Sequence, residues 1–413
     1  MTVDIRKKVP EIRFDEFEGE WERCDLKNIA TFSKGTGYSK SDLVPEGTPI
    51  ILYGRMYTNY ETTISNVDSF VIPKKKSVYS RGGEVIVPAS GESAEDISVA
   101  SVVRNPDVIL GGDLNIISPS KDVDPAFLAM VISHGKAHDE MAKMAQGKTV
   151  VHLHNNDLEQ VEFIHPQYEE QKKISYFIIL VEDTIAVQEV RHEKLLALKK
   201  AMLQTMFPQA RESVPQIRFG EFEGGWGYVE LKKIAGKVVE RNNHRDYTET
   251  FTNSAEYGII SQRDYFDHDI SNANNINSYY IVAENDFVYN PRISTHAPVG
   301  PINRNKLERK GIMSPLYTVF RPHDVDYSYL EWFFKSKYWH PYMFYNGDNG
   351  ARYDRFSIKD DVFFDMPIPF PYMEEQQKIG EYFDTLENAI IAQAQKIAKL
   401  KQMKSALMQK MFI

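Results

Sequence analysis

At 413 residues the chain has room for two to four domains, each burying its own core. A net charge of −9, from 49 basic and 58 acidic residues, argues against a simple nucleic-acid binder with a basic footprint. The single cysteine, Cys24, excludes an internal disulfide and a multi-cysteine metal site and fits a reducing cytosol; the start MTVDIRKKVPEIRF lacks a secretory apolar segment, and no apolar run approaches the roughly twenty residues that span a bilayer, so a cytoplasmic protein is expected.

In chain order, the first feature is VPEIRFDEFEGEW at Val9–Trp21. Strand-like stretches follow at Thr48–Tyr53, Glu84–Pro88 and Val99–Arg104, punctuated by glycine turns at Gly35, Gly37, Gly82–Gly83 and Gly111–Gly112. Asp124–Ser133 reads as a short amphipathic helix opened by Asp124 and Pro125. After Pro166 an acidic pair, Glu169 and Glu170, favours the N-terminus of a long helix ending in AMLQTMF at Ala201–Phe207.

The chain then says the same thing again. VPQIRFGEFEGGW at Val214–Trp226 repeats the opening 205 residues later, identical at ten of thirteen positions. Strand candidates lie at Ser278–Val282, Asp286–Tyr289 and Tyr317–Arg321, and a helix candidate at Tyr327–Ser336. Pro371 and EEQQKI at Glu374–Ile379 match EEQKKI at Glu169–Ile174, and the last helix ends in ALMQKMF at Ala406–Phe412. The stretches between, 26–165 and 231–370, share almost nothing alignable, and neither is globally basic (13 basic against 17 acidic, and 17 against 18). One frame with two fillings suggests one scaffold holding two recognition surfaces.

Both long helices carry heptads. Ile174, Val181, Gln188 and Leu195 recur every seven residues in the first, and Ile379, Leu386, Gln393 and Leu400 in the second. About forty residues at 1.5 Å each make coiled-coil helices roughly 60 Å long. An antiparallel pairing about a pseudo-twofold axis brings Gln188 to Gln393, a polar pair that fixes register. In the alternative, each helix packs on its own globular neighbour and the glutamines are solvated.

These residues resemble those of the DNA-specificity (S) subunit of a Type I restriction–modification system. The resemblance rests on the RF-x-EFEG-x-W openings (Arg13–Trp21, Arg218–Trp226), the P-x-x-EEQ junctions (Pro166–Gln171, Pro371–Gln376) and the matching helix ends, and it covers the whole chain. It implies an α+β fold: two α/β-mixed target recognition domains separated by two long antiparallel coiled-coil helices, with an internal pseudo-twofold repeat. The segments are then 1–165, first recognition domain; 166–210, central helix; 211–370, second recognition domain; and 371–413, C-terminal helix. It further implies that each domain reads half of a bipartite, gapped site on double-stranded DNA while the helices set the spacer. Two methyltransferase subunits flank such a chain, and two restriction subunits join them in the restriction complex. Flanking subunits can supply the phosphate-binding charge that this chain lacks.

Catalytic chemistry is not expected. Tyr289–Asn290–Pro291–Arg292 has one proline and no following aromatic, unlike the motif of an adenine methyltransferase, and there is no glycine-rich cofactor or phosphate loop and no H-E-x-x-H. His152 and His154 fall on one face of a strand without a carboxylate to complete a metal site. No cofactor and no metal are expected. The rival readings are a fused restriction–methylation enzyme and a coiled-coil assembly adaptor that does not read DNA.

Arginine and lysine can grip guanine edges and asparagine or glutamine can read adenine, so DNA contacts are sought on polar loops. In the first filling the candidates are Lys34, Tyr38 and Lys40 on a glycine loop, Tyr53, Arg55 and Tyr57 after a strand, Ser90 beside Glu92, and Lys148, Thr149, His152 and His154 before the junction. In the second they are Arg241, Asn242, His244 and Arg245, then Arg292, Ser294 and His296, then Asn349, Arg352, Tyr353 and Arg355. The last group occupies the place of Lys148–His154 at the repeat offset. Singly, each is better explained by an ordinary solvated loop side chain, and only as clusters do they point to DNA; Lys74–Lys76 is read as a solvated face before a phosphate contact, and Asn272–Asn277 as a contact or a turn. Trp21 and Trp226, identical in both frames, are read as structural anchors.

Overall fold

The computed structural model describes residues 9–134, 136–144, 151–209, 212–266, 276–348 and 354–413. The chain forms two compact units, one of Met1–Val190 with Gln395–Ile413, the other of Arg191–Ala394.

In the first unit a five-stranded sheet runs in the order Ala30–Lys34, Leu114–Pro119, Glu84–Pro88, Ser101–Val103, Thr63–Ile64. All neighbours are antiparallel except the last pair. The central strand, EVIVP, is buried throughout. Val85 and Val87 face one core with Phe127 and Leu128, while Ile86 faces a second with Leu114 and Ile116, as the two-residue period of a strand requires. Helix Pro125–Ser133 covers the first face; the Asp124 carboxylate caps it, accepting from the Phe127 amide at 2.8 Å. A smaller four-stranded sheet carries Ile109–Leu110, Thr48–Ile51, Phe70–Val71 and Leu43–Val44.

The second unit repeats the plan with shorter strands. Ala235–Lys237, Thr318–Pro322, Phe287–Tyr289 and Ile302–Arg304 form an antiparallel sheet. Helix Tyr327–Lys335, capped by Asp326, packs Phe334 against Phe287 and Phe320. The strands and short helices expected from sequence are present, most with trimmed ends: Val99–Arg104 contracts to Ser101–Val103 and Ser278–Val282 to Tyr280–Val282, while Glu84–Pro88 is unchanged and Tyr317–Arg321 shifts to Thr318–Pro322. Ala30–Lys34 and Leu114–Pro119 were not expected as strands; each mixes polar and apolar residues, so neither reads as a β-branched run although glycine turns flank both.

The repeated frame has a physical purpose. Arg13 Nε and Nη2 each donate to the fully buried Glu170 carboxylate at 2.7 Å, and Nη1 donates to the Gly19 carbonyl at 2.6 Å. Arg218 makes the same bonds to Glu375 and Gly224 at 2.6–2.8 Å. Gly19 and Gly224 have φ of 87° and 80°, a left-handed turn that favours glycine. Gln171 and Gln376 each bridge a backbone amide (Asp124, Asp326) and a proline carbonyl (Pro166, Pro371). Trp21 and Trp226 are buried against Phe127 and Tyr329, in agreement with an anchoring role. Each frame is closed by an antiparallel ribbon, Glu22–Asp25 with Glu162–His165, and Gly227–Glu230 with Pro367–Phe370.

The long helices span Tyr168–Thr205 and Met373–Met411. Within the first unit, the opening part of one runs antiparallel to the closing part of the other, tied by Glu182–Lys404 at 2.7 Å and Glu189–Lys401 at 2.6 Å. Within the second unit, Lys199 meets Glu387 at 2.7 Å, the counterpart of Lys404–Glu182 at the 205-residue offset. Ile174 and Val181 are buried and Leu400 half-buried in the first unit; Ile379, Leu386 and Gln393 are buried and Leu195 half-buried in the second. Gln188 is half-buried, and neither it nor Gln393 lacks a partner. No helix among the described residues is long and apolar enough to cross a membrane.

Candidate nucleic-acid interface

In the first unit the candidate surface grows from the end of the buried central strand. Beyond Pro88, Ser90–Gly91 pairs antiparallel with Val151–His152, placing Ser90 opposite His152. Leu153, fully buried, donates its amide to the Ala89 carbonyl at 3.0 Å and accepts from Asn115 Nδ2 at 2.9 Å. With Leu153 turned inward, His152 and His154 both face outward, exposed, their rings parallel and 6.4 Å apart. Asn115 lies opposite Lys34 in the sheet, and Asn155 Nδ2 reaches the Ser33 carbonyl at 3.1 Å, so exposed Lys34 joins the same end. The Tyr57 hydroxyl donates to the Ser90 carbonyl, and Tyr53 packs edge-on against Tyr57. Burial pushes the Tyr57 phenol up, so it remains a donor. Thus Lys34, Tyr53, Tyr57, Ser90, His152 and His154 come together. Ser90 itself is buried and supports the surface rather than forming it.

Two first-unit candidates have structural work instead. Tyr38 is buried in a core with Ile50 and Ile109, its hydroxyl bonded to Ser77 and to the Lys74 amide. Arg55 holds Asp68 at 2.9 Å, Glu61 at 2.7 Å and the Asn66 carbonyl at 2.8 Å, so its fork is already occupied. Lys40 is exposed in a separate turn, Lys40–Asp42, whose Asp42 pairs with Lys74. The glycine loop is tight for a packing reason: a Cβ on Gly35 would lie 1.8 Å from the Gly111 carbonyl oxygen. Lys148 and Thr149 lie outside the described residues.

The second unit has an equivalent surface with different chemistry. Arg292 bridges antiparallel to Arg355, flanked by Ile293 N to Asp354 O at 3.1 Å and Phe356 N to Pro291 O at 2.7 Å. Phe356, buried, takes the place of Leu153, and Pro291 the place of Ala89. Arg292 and Arg355 therefore stand where Ser90 and His152 stand in the first unit, at offsets of 202 and 203. Arg292, Ser294 and His296 are exposed on one loop, and Arg355 is half-buried beside Asp354 at 3.7 Å. Asn349, Arg352 and Tyr353 lie outside the described residues.

The 241–245 loop lies elsewhere, tied to Ile276–Tyr280. Arg241 donates to the Ser278 carbonyl at 2.7 Å and lies over the Tyr280 ring at 4.9 Å; His244 and Arg245 are exposed. Asn242 is a structural residue: buried, it donates to the Tyr247 and Ile276 carbonyls and accepts from the Tyr247 amide. Sequence reasoning missed the buried asparagines beneath these surfaces, Asn115 in the first unit and Asn253, Asn290 and Asn303 in the second. At Asn115 the signal was available, an amide within the mainly apolar strand LNIISP, since such a group is buried only with partners; the other three carry no such signal. Among the described residues no group of three or more histidine, cysteine or carboxylate side chains is placed to hold a metal.

A family model described as Type I restriction modification DNA specificity domain matches the chain twice, over residues 18–197 and 223–402. The chain belongs to that family. Its fold is similar to the S subunit of a Type I restriction–modification system from M. genitalium, with a TM-score of 0.57 at 11% identity over 98% of this chain and 99% of that one. It is also similar to a chain from a structure concerned with complex assembly and conformational transition of the type I restriction–modification system, with a TM-score of 0.51 at 15% identity over 95% and 97% of the two chains. At those identities the likeness is one of fold.

Proposed function

We propose that this chain is the non-catalytic specificity subunit of a Type I restriction–modification complex, and that each unit reads one half of a bipartite, gapped site on double-stranded DNA. The observation that carries the reading is the pair of equivalent surfaces: one backbone arrangement sets exposed His152 opposite buried Ser90 in one unit and Arg355 opposite Arg292 in the other. A scaffold that keeps geometry and changes chemistry suits two different half-sites, because base edges are distinguished by donor and acceptor pattern. The first half-site falls to Lys34, Tyr53, Tyr57, His152 and His154; the second to Arg292, Ser294, His296 and Arg355, with Arg241, His244 and Arg245 on an outlying loop.

In this reading the recognition domains are residues 1–165 and 211–370, and the spacers 166–210 and 371–413. The helices, of 38 and 39 residues, set the separation of the half-sites, with the Gln188 and Gln393 heptad positions fixing register. Two methyltransferase subunits dock on the frame and bring most of the phosphate-binding charge, which reconciles a net charge of −9 with DNA binding; two restriction subunits complete the assembly where restriction occurs. Genome-wide methylation mapping in cells carrying the chain and its cognate methyltransferase, with and without deletion of the chain, tests this. Loss of methylation at one gapped motif is expected. Unchanged methylation would transfer the weight to a coiled-coil adaptor that does not read DNA.

A further inference from the structure

We infer that the bridged pair Arg292–Arg355 reads a guanine in the half-site of the second unit, an inference that rests on the DNA-reading function proposed above. Two guanidinium groups on directly opposed residues repel, and like charges across a strand pair are destabilising. Among the described residues the only carboxylate within 4 Å of either guanidinium is Asp354, 3.7 Å from Arg355. The surplus positive charge calls for an acceptor-rich ligand, and the O6 and N7 edge of guanine matches the guanidinium fork.

The pair also has the rigidity that base reading needs. Arg292 N donates to Asn290 Oδ1 at 3.0 Å, and Asn290, buried, donates through Nδ2 to the Asn253 carbonyl at 2.8 Å. On the other side Phe356, also buried, pins the backbone beside Arg355 through its bond to Pro291. Side chains placed on a locked platform hold the geometry that discrimination requires. An exposed lysine on a mobile stem would grip a phosphate equally well at any sequence. The first unit cannot do the same at this place: Ser90 is buried and His152 has no planar fork of donors. The two half-sites should therefore differ in guanine content at the equivalent position.

The test is methylation mapping and duplex-library binding with the whole chain in complex with its methyltransferase subunits, comparing the unmodified chain with Arg292→Ala, Arg355→Ala, Arg292→Gln and His152→Ala. Melting curves confirm folding, and exposed Arg292 gives a variant that leaves the core intact. His152→Ala relaxes one half-site and thereby identifies the other as that of the second unit. The arginine-to-alanine variants are expected to relax one G·C position in that half-site by about 5- to 150-fold, leaving the other half and the salt dependence largely unchanged. Arg292→Gln is expected to raise the acceptance of adenine there, which a structural role would not do. A second half-site without any G·C pair, or weakening uniform across sequences with a shallower salt slope, would overturn the inference while leaving the specificity function intact. Methylation indifferent to deletion of the chain would overturn both.

Discussion

At the scale of residues, the two repeated frames each close on a buried carboxylate. Glu170 and Glu375 have fully buried side chains, each neutralised by one arginine from a segment 157 positions away. Removing one partner of such a pair leaves an uncompensated charge, so Arg13→Ala should cost about 3 kcal/mol in chemical denaturation of the first unit. Arg13→Lys should recover little, because lysine lacks the fork that holds both carboxylate oxygens and the Gly19 carbonyl. Arg13→Met with Glu170→Met should lose much less than the sum of the single changes. Two histidines contribute to acid sensitivity. Burial pushes His134 and His340 down to about 4, with Lys404 and His138 adding to the first and Lys337 to the second. Both stay neutral in the fold while the unfolded chain takes up protons near pH 6.5. Their contribution is therefore full above about pH 6.5 and is lost as pH falls toward 4. Melting temperature followed from pH 7.5 to 4 should fall over that window, and a His134→Gln, His340→Gln double variant should flatten the curve. The importance of Arg13 and Trp21 was legible in the sequence because they recur identically. What Arg13 holds was not legible, since nothing local indicates a partner so distant in the chain.

At the scale of elements, the long helices were the most readable part, because heptads report which face is buried without reference to the rest of the molecule. Glu182–Lys404 and Lys199–Glu387 add what heptads do not contain, the direction of pairing within each unit. Lys404 and Glu182 are both half-buried, and Thr62 also donates to Glu182 at 2.8 Å. Lys404→Glu should lower stability by about 1 kcal/mol in thermal melts, and adding Glu182→Lys should restore most of it. The fillings were far less readable. Their strands were found one by one from β-branched runs such as EVIVP, but their equivalence was hidden. The offset moves from 205 in the frames to 202 at Asp124 and Asp326 and to 203 at Leu153 and Phe356. Only backbone pairing, which ignores side-chain identity, reveals the correspondence. The glycines at 35 and 37 were read as a turn that could bear contacts; the packing role of Gly35 against the Gly111 carbonyl was not legible, because that partner is distant in the chain.

At the scale of the whole molecule, the linear order of segments and the compact units differ. Each unit takes its main sheet, the opening of the helix that follows it and the far end of the other long helix. In the first unit, Met411 and Phe412 join the core around Phe127, and Ile12 N donates to Lys410 O at 3.0 Å. In the second, Met206 and Phe207 join the core around Tyr329, and Ile217 N donates to Thr205 O at 3.0 Å. This interleaving was only partly legible, since matching AMLQTMF and ALMQKMF ends announced a shared role without naming the core they enter. Because each filling is enclosed by the same frame, it should be exchangeable. The most direct measurement is the methylated motif of cells in which residues 26–165 are replaced by the corresponding filling of another member of the family, with the frame, the helices and residues 231–370 untouched. The expected result is a new first half-site with the second half-site and the gap length unchanged. A motif that changes in both halves, or in neither, would contradict the assignment of one half-site to each unit.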